Sequence, residues 1–363
     1  ICKRVPSKVN LIEYNSIDDP RFSKADELWV NKYLNILKEK TSSEIQGVLK
    51  AFSYGLEIRE VVEVIDEHVS CYSVMSIDEA ILVRNESSKP ILLLQGVYDL
   101  DEYEKVLKYD LDIVIHSDWQ LKNLDARLKN NRFWLKLNTG LNRLGFNAEK
   151  FESTIKVLEE KGFRNLVLMS HFACADEKGH PLNDKQLQLF EKVTKKFSYK
   201  KSLANSGAVF NYPESHYDIV RPGISVYGGG FYEHGIKPVT NFRSKIISIR
   251  NVKKGDSVGY EASWTADKDS LVAVISLGYA DGYPLIYKDV PVFVNNKQFH
   301  TIGRTSMDMV CVNLGDDSSI KVGDWVEMWN FKTPLNTLAK SINTISYQLL
   351  TNISRRVPKN YLE

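Results

Sequence analysis

The 363-residue chain has only four cysteines, Cys2, Cys71, Cys174 and Cys311, far apart and with no CxxC pair. That scarcity speaks against a disulfide scaffold and a cysteine-built metal site, and fits unpaired thiols in a reducing, cytoplasmic compartment. Long apolar runs are missing too. None approaches the ~18 residues that span a bilayer, so no membrane role is expected. The opening ICKRVPSKVN has no apolar stretch of the secretory kind; it also lacks an initiator Met, as a chain trimmed of a leader would. Nor is there an excess of charge of one sign. Forty-eight Lys and Arg against 46 Asp and Glu leave +2, which gives no electrostatic case for nucleic acid or an anionic membrane. Repeats and low-complexity linkers are absent. What remains is 43% hydrophobic, 26% charged and 11% aromatic, the composition of a globular protein with ample core.

Residues 24–40 carry Leu28, Trp29, Tyr33, Leu34 and Leu37 at helical spacing, which predicts an amphipathic helix. From there to about residue 225, short apolar runs alternate with helical patterns. The runs are IQGVLK, CYSVM, ILLLQ, DIVIH, FWLKL, LVLMSH, KSLAN and YDIVRPG. Short continuous runs of this kind, each followed by a crossover helix, are the pattern of buried parallel strands. Eight of them suffice to close a (β/α)8 barrel of the TIM type. A doubly wound open sheet is the alternative, but the Gly-rich first turn usual in such sheets does not follow IQGVLK.

The pattern changes near residue 240. NFRSKIISIRNV, SLVAVISLG, VPVFVNNKQF, DMVCVNL and DWVEMWNF alternate like half-buried strands, with polar turns between them, and only TPLNTLAKSI and ISYQLLTNI look helical. The expected organisation is α/β: a barrel with an N-terminal extension over 1–240, then a smaller, mainly β domain over 241–363.

In such barrels function gathers at the C-terminal ends of the strands. Lys50 ends the first run, and Lys136, then NTG and Arg143, follow the fifth. His171 follows the sixth, Asn205 and Ser206 the seventh, Arg221 and Gly223 the eighth. Each has an ordinary structural explanation alone; a lysine at a strand end, for instance, can snorkel to solvent. Polar groups at five strand ends on one rim are hard to ascribe to chance. A desolvated lysine near other cations loses its proton and becomes a nucleophile for an aldehyde. Ser206 followed by Gly207 suits a turn whose backbone N–H groups cradle a phosphate. A lysine, a phosphate cradle and an Arg-rich pocket suggest pyridoxal phosphate.

The motifs GVLKAFSYG, FWLKLNTGLNRLGF, MSHFACADE, LANSGAVF, IVRPGISVYG, VGYEASW, LGYADGYP and GRTSMDMVCVNLG lie on the predicted strand ends and along the later part of the chain. In order and spacing they resemble the barrel-type (fold type III) alanine racemases over nearly the whole length. The resemblance implies an isomerase that uses pyridoxal 5'-phosphate to interconvert L-alanine and D-alanine with two bases, supplying D-alanine for peptidoglycan. By that resemblance Lys50 anchors the cofactor covalently and serves one face of the substrate Cα, and Tyr260 serves the other. Tyr54, Ser206, Gly223, Ile224 and Tyr227 resemble the phosphate-side residues, with Asn205 beside them. Arg221 would face the pyridine nitrogen; a guanidinium cannot take up the pyridinium proton, which leaves the ring a weaker electron sink. An ordinary phenol, with a pKa of about 10, is a poor base at neutral pH, and His171 with Arg221 resembles the hydrogen-bonded chain that assists the tyrosine.

Arg143 resembles the residue that holds the substrate carboxylate, its position set in the family by a carbamylated lysine that Lys136 matches (N6-carboxylysine). Met307, Asp308 and Tyr279 resemble substrate-side residues contributed by the partner subunit, so a homodimer with shared active sites is implied. The chain departs from the family pattern at several places. Phe52 and Ser53 stand where Asn or Asp and then Ala are usual, and Leu56 and Glu57 replace His-Gly. Asn138 replaces an Asp, Glu261 a Gly, and Arg355 a pocket tyrosine of some relatives. These bear on substrate size more than on reaction type. A racemase of larger amino acids, a related decarboxylase and a noncatalytic cofactor-binding barrel are the competing readings. Arg221 opposes the decarboxylase, and the β-rich second domain opposes the noncatalytic barrel.

Overall fold

The computed structural model describes residues 8–11, 35–286 and 289–361. Residues 35–40 are helical, with Leu37 buried, as expected for the end of the amphipathic helix; residues 24–34 of that expectation lie outside the described residues. The described chain divides into two compact units, one of residues 35–226 and the other of 8–11 with 227–361.

Strand β1 (Lys8–Leu11) belongs to the second unit. The first unit is built on β2 (Glu44–Val48), β3 (Cys71–Val74), β4 (Ile91–Leu93), β5 (Leu111–Ile115), β6 (Phe133–Lys136), β7 (Leu166–Met169), β8 (Lys200–Ser202) and β9 (Ile219–Val220). Each of the eight expected runs contributes one of these strands. Every strand pairs in parallel with its sequence neighbour from β2 through β8, and β9 pairs in parallel with β2. On its other side β9 meets β8 through Arg221 N to Ala204 O at 2.9 Å and a parallel bridge between Asn205 and Arg221, so the sheet closes on itself. Inside it Leu92, Val114, Trp134, Val167, Met169 and Ile219 form one buried cluster. Ile219 can reach side chains of β4–β7 only across a closed barrel. Burying each such side chain contributes about 1.5–3 kcal/mol.

Helices cross between the strands, among them Ile77–Glu86, Ala148–Glu160 and Pro181–Thr194. Their starts are written locally. Ser76 and Glu79 form a reciprocal capping box, Asn147 caps with its side chain, and Pro181 occupies the first turn.

The second unit holds β10 (Thr240–Val252), β11 (Ser257–Val258), β12 (Trp264–Thr265), β13 (Ser270–Ile275), β14 (Pro291–Val294), β15 (Lys297–Ile302), β16 (Val310–Gly315), β17 (Trp325–Trp329) and β18 (Lys359–Tyr361). The antiparallel order β13-β16-β15-β14-β17-β10 returns to β13, because the long β10 pairs with β17 in its first half and with β13 in its second. Alternation of buried and open positions along β14 and β16 is the period-2 pattern of strands with one buried face. Two helices, Leu335–Ser341 and Ser346–Thr351, match the two helical patterns expected. One expectation shifts. The pattern assigned the N-terminal extension to the barrel, whereas β1 pairs antiparallel with β10 and parallel with β18. Its partners lie more than 200 residues away, beyond the reach of any local periodicity.

Candidate active site

The chain leaves β2 through Leu49 into Lys50 and then turns left-handed. Ala51, Phe52, Ser53 and Tyr54 hold φ of 56, 50, 57 and 57°, and Gly55 follows at 85°. Ser53 N donates to Leu49 O and Gly55 N to Ala51 O, both at 2.8 Å. For L-residues this hand costs roughly 1–2 kcal/mol each, a strain that proteins hold chiefly where geometry matters for function. The turn buries Tyr54 to 4% exposure. Its hydroxyl lies so close to Gly223 that a Cβ there would stand 2.3 Å from it.

Around that point the seventh and eighth strand ends form a hydroxyl-lined cradle. Ser206 Oγ accepts from Gly223 N at 2.8 Å and lies 3.2 Å from Ser225 Oγ. Asn205 fixes the adjoining segment by accepting from Ala208 N at 3.1 Å. Gly207 has no room for a side chain, since a Cβ would sit 2.3 Å from Asp176 Oδ1. Ile224 and Tyr227 are buried as well.

Facing the same rim is a set of cations. Lys136 is buried, and its amine is pushed down to about 8 by burial first, then by Arg221, Arg143 and Lys50. Lys50 is lowered by burial, Arg143 and Arg221, with Glu79 opposing. Arg221 is buried behind them; it donates to Ser202 Oγ, to Ser170 O at 2.6 Å and to His171 Nδ1 at 3.3 Å. Burial lowers Arg221 to about 10, still a cation at neutral pH. Burial and Arg221 push His171 far below the usual imidazole range, so the ring is neutral. Because a guanidinium only donates, Nδ1 is the acceptor and the proton of His171 sits on Nε2. Arg143 rides an exposed loop shaped by Asn138, whose Oδ1 accepts from Gly140 N and Asn142 N at 3.1 Å each.

The remaining expected residues belong to the second unit. Tyr260 sits in a tight turn between β11 and β12, with Gly259 at φ 82° and Glu261 at 60°, and is 67% exposed. Ser263 Oγ accepts from Arg304 N at 3.1 Å, and Arg304 pairs with Glu261 at 2.8 Å. Tyr279 N donates to Ser306 O and Ala280 N to Met307 O, which joins the Tyr279 turn to the Met307–Asp308 loop. Gly278 permits that approach: a Cβ there would stand 2.2 Å from Met307 O. Arg356 clamps the same place, bonding buried Asp281 at 2.8 Å and Asp308 at 2.5 Å.

The family model for the N-terminal domain of alanine racemase matches residues 30–230, and that for the C-terminal domain matches residues 239–361. The chain belongs to the alanine racemase family. It is 40% identical over 331 residues to an alanine racemase of Vesicomyosocius okutanii, covering 89% of this chain and 93% of that protein. To the biosynthetic alanine racemase of Pseudomonas aeruginosa it is 38% identical over 329 residues, 87% of this chain and 91% of the relative. The crystal structure of the Pseudomonas aeruginosa biosynthetic alanine racemase superposes with a TM-score of 0.89 at 33% identity over the full length of both chains. An alanine racemase from Bartonella henselae with covalently bound pyridoxal phosphate gives 0.84 at 26% identity, over 99% of this chain and all of that one. The fold and the racemase class are thus those of alanine racemases.

Four residues at these places escape a reading of motifs. Ser202 and Ser225 present hydroxyls to Arg221 and Ser206. Gln186 joins two loops to its own helix, donating to Thr139 Oγ1 and His171 O and accepting from Ala173 N at 2.9–3.1 Å. Glu79 touches the Lys50 turn; its only sequence signal is the Ser76–Glu79 capping spacing, which announces a helix start and nothing more.

Proposed function

We propose that this alanine racemase works with pyridoxal 5'-phosphate bound at the C-terminal rim of its barrel, with Lys50 and Tyr260 as its two bases. The observation that carries the reading is the meeting of Lys50, Lys136 and Arg221 with the Tyr54–Ser206–Gly223 cradle at one set of strand ends. The residues fit the group. Without a Cβ, Gly223 lets the Tyr54 hydroxyl come up against its backbone, and Ser206 and Ser225 offer hydroxyls beside it. Lysine is the residue type that bonds an aldehyde, and the lowered Lys50 is readier than an ordinary lysine to do so. When bound, the cofactor withdraws electrons from the substrate Cα and so acidifies its proton.

The protein's own part is placement and proton transfer. Tyr54, Ser206, Gly223, Ile224, Tyr227 and Asn205 would hold the phosphate end, and Arg221 would donate a hydrogen bond to the ring nitrogen without giving up its proton. Arg143 holds the substrate carboxylate. The Lys50 amine takes a proton from one face of Cα, and the Tyr260 hydroxyl delivers one to the other; the reverse reaction exchanges the roles. His171, neutral and fixed by Arg221, offers Nε2–H toward the phenol side. Lys136 has an amine lowered enough to add carbon dioxide, and the resulting carbamate would meet the surplus cations around it. Tyr260, Tyr279 and Met307 are exposed in one chain, which supports a homodimer that completes each site with the partner's loop. The product, D-alanine, would serve peptidoglycan synthesis in the cytoplasm.

Incubating the cofactor-loaded protein with L-alanine in D2O tests the proposal, read by chiral chromatography and mass. D-alanine carrying deuterium at Cα is expected. Labelled L-alanine without inversion would overturn proton delivery from the Lys50 face, and absence of label and product would overturn alanine as the substrate; a panel of larger amino acids follows in that case.

A further inference from the structure

Glu79 is 3% exposed, a charged side chain in a place where charge costs heavily unless well bonded. Its two oxygens are bonded differently. Oε2 accepts from Met75 N at 2.8 Å and Ser76 N at 3.1 Å, closing the capping box of its own helix. Oε1 reaches back 27 residues and accepts from Phe52 N at 2.9 Å. Phe52 lies within the left-handed turn that carries Lys50 and Tyr54. A capping box requires one acceptor, which glutamine supplies as well as glutamate. The second bond, from the loop after β3 to the loop after β2, has no part in starting a helix.

We propose that Glu79 is a positioning residue of the racemase: its carboxylate pins the Phe52 amide, holds the turn left-handed, and thereby sets the positions of Lys50 and Tyr54 at its two ends. Only a carboxylate does both jobs, because each oxygen accepts. In glutamine one side becomes an NH2 that faces N–H donors, at Phe52 or at Met75 and Ser76. Aspartate, one methylene shorter, cannot span the two loops. Glu79 also places the anion that opposes the lowering of Lys50. The inference rests on the reading of Lys50 as base and anchor, but its first test does not.

Amide hydrogen exchange on the full chain as purified, compared among the parent, Glu79→Gln, Glu79→Asp and Ser76→Ala, is that test. Exchange at Phe52 should quicken about tenfold or more in Glu79→Gln and Glu79→Asp. Ser76→Ala weakens the same helix start without touching Phe52, and should leave Phe52 protected. Racemase activity against pH is the second readout. Losing the anion lowers Lys50, so the rising limb should move to lower pH in Glu79→Gln and stay in place in Ser76→Ala. Unchanged Phe52 exchange in both Glu79 variants, or equal opening in Ser76→Ala, would overturn the proposal even if racemisation is intact. A Phe52 amide opened as expected in a chain that never racemises would uphold the positioning and instead remove the function assigned to Lys50.

Discussion

The two units present their chemistry in opposite ways. In the barrel the candidate groups are sunk and tied: Tyr54 abuts Gly223, Ser206 accepts from the Gly223 amide, and Arg221 is bonded to Ser202, Ser170 and His171. In the β-rich unit the loops are tied but the side chains stand out, with Tyr260, Tyr279 and Met307 at 67, 44 and 54% exposure. Preorganised side chains in a water-poor setting act on a substrate at little further cost. Exposed ones reach that condition only against another surface. The contrast is what gives the proposed dimer its chemical sense: under that proposal the barrel would supply buried groups and the partner's β-rich unit would cover its own exposed ones.

The largest effects should come from removing one base from each side. Lys50→Ala and Tyr260→Phe should each lower racemisation by about 10²–10⁴-fold or more. Tyr260→Phe should impair exchange starting from L-alanine far more than from D-alanine. Mixing the two variants under subunit exchange should restore about a quarter of parental activity, because half the dimers then carry one intact shared site of two. No recovery after proven exchange would mean that each chain completes its own site.

A smaller effect should follow from crowding the buried half. Gly223→Ala puts a methyl group against the Tyr54 hydroxyl. Overpacking of this kind costs about 1–3 kcal/mol, and a lowered Tm with at least tenfold weaker pyridoxal phosphate binding by fluorescence titration is expected. Binding equal to the parent would remove Gly223 from the cradle.

Next comes pH. Lys136 is held at about 8, below its unfolded value of about 10.5, so folding favours its neutral form. The Lys136 contribution to the stability of the cofactor-free chain should therefore rise as pH climbs from about 8 toward 10.5 and should be flat on either side of that window. Lys136→Met should flatten this slope in chemical denaturation. An unchanged slope would assign the pH dependence to other groups.

The smallest effect should be a gain. Phe52 holds φ 50°, a conformation that Asn adopts more readily than Phe. Phe52→Asn should stabilise the chain by about 0.5–1 kcal/mol, read by thermal unfolding. A loss would show that the Phe52 ring makes packing contacts worth more than the relief.

The barrel was legible because all of its strands but β8, which is Lys-Lys-Ser, are mainly apolar and buried, and a count of eight carries topological meaning. The edges of the second unit were not. β11 and β12 are two residues each, too short for any period, and the partners of β1 lie more than 200 residues along the chain. Residue types at strand ends pointed to Lys50, Lys136, His171, Ser206 and Arg221 as one group, and the fold brings these strand ends to one rim. The motifs around Tyr260, Tyr279 and Met307 drew their meaning from resemblance alone, because nothing in their local pattern states that three loops meet. Glu79 was hidden for a different reason: one oxygen obeys a local rule that explains the residue fully, and the other acts at a distance that no spacing encodes.

The turn at Ala51–Tyr54 has a consequence for chirality within the chain itself. Four consecutive residues there adopt the backbone hand natural to D-amino acids. A semisynthetic chain carrying D-alanine in place of Ala51 would accept that conformation without the penalty its L-counterpart bears. Elsewhere in the barrel helices the same replacement would be disruptive. A member of a family whose reaction makes mirror-image alanine thus keeps, next to the lysine proposed as its base, a stretch of backbone in which the mirror-image residue would be the better fit.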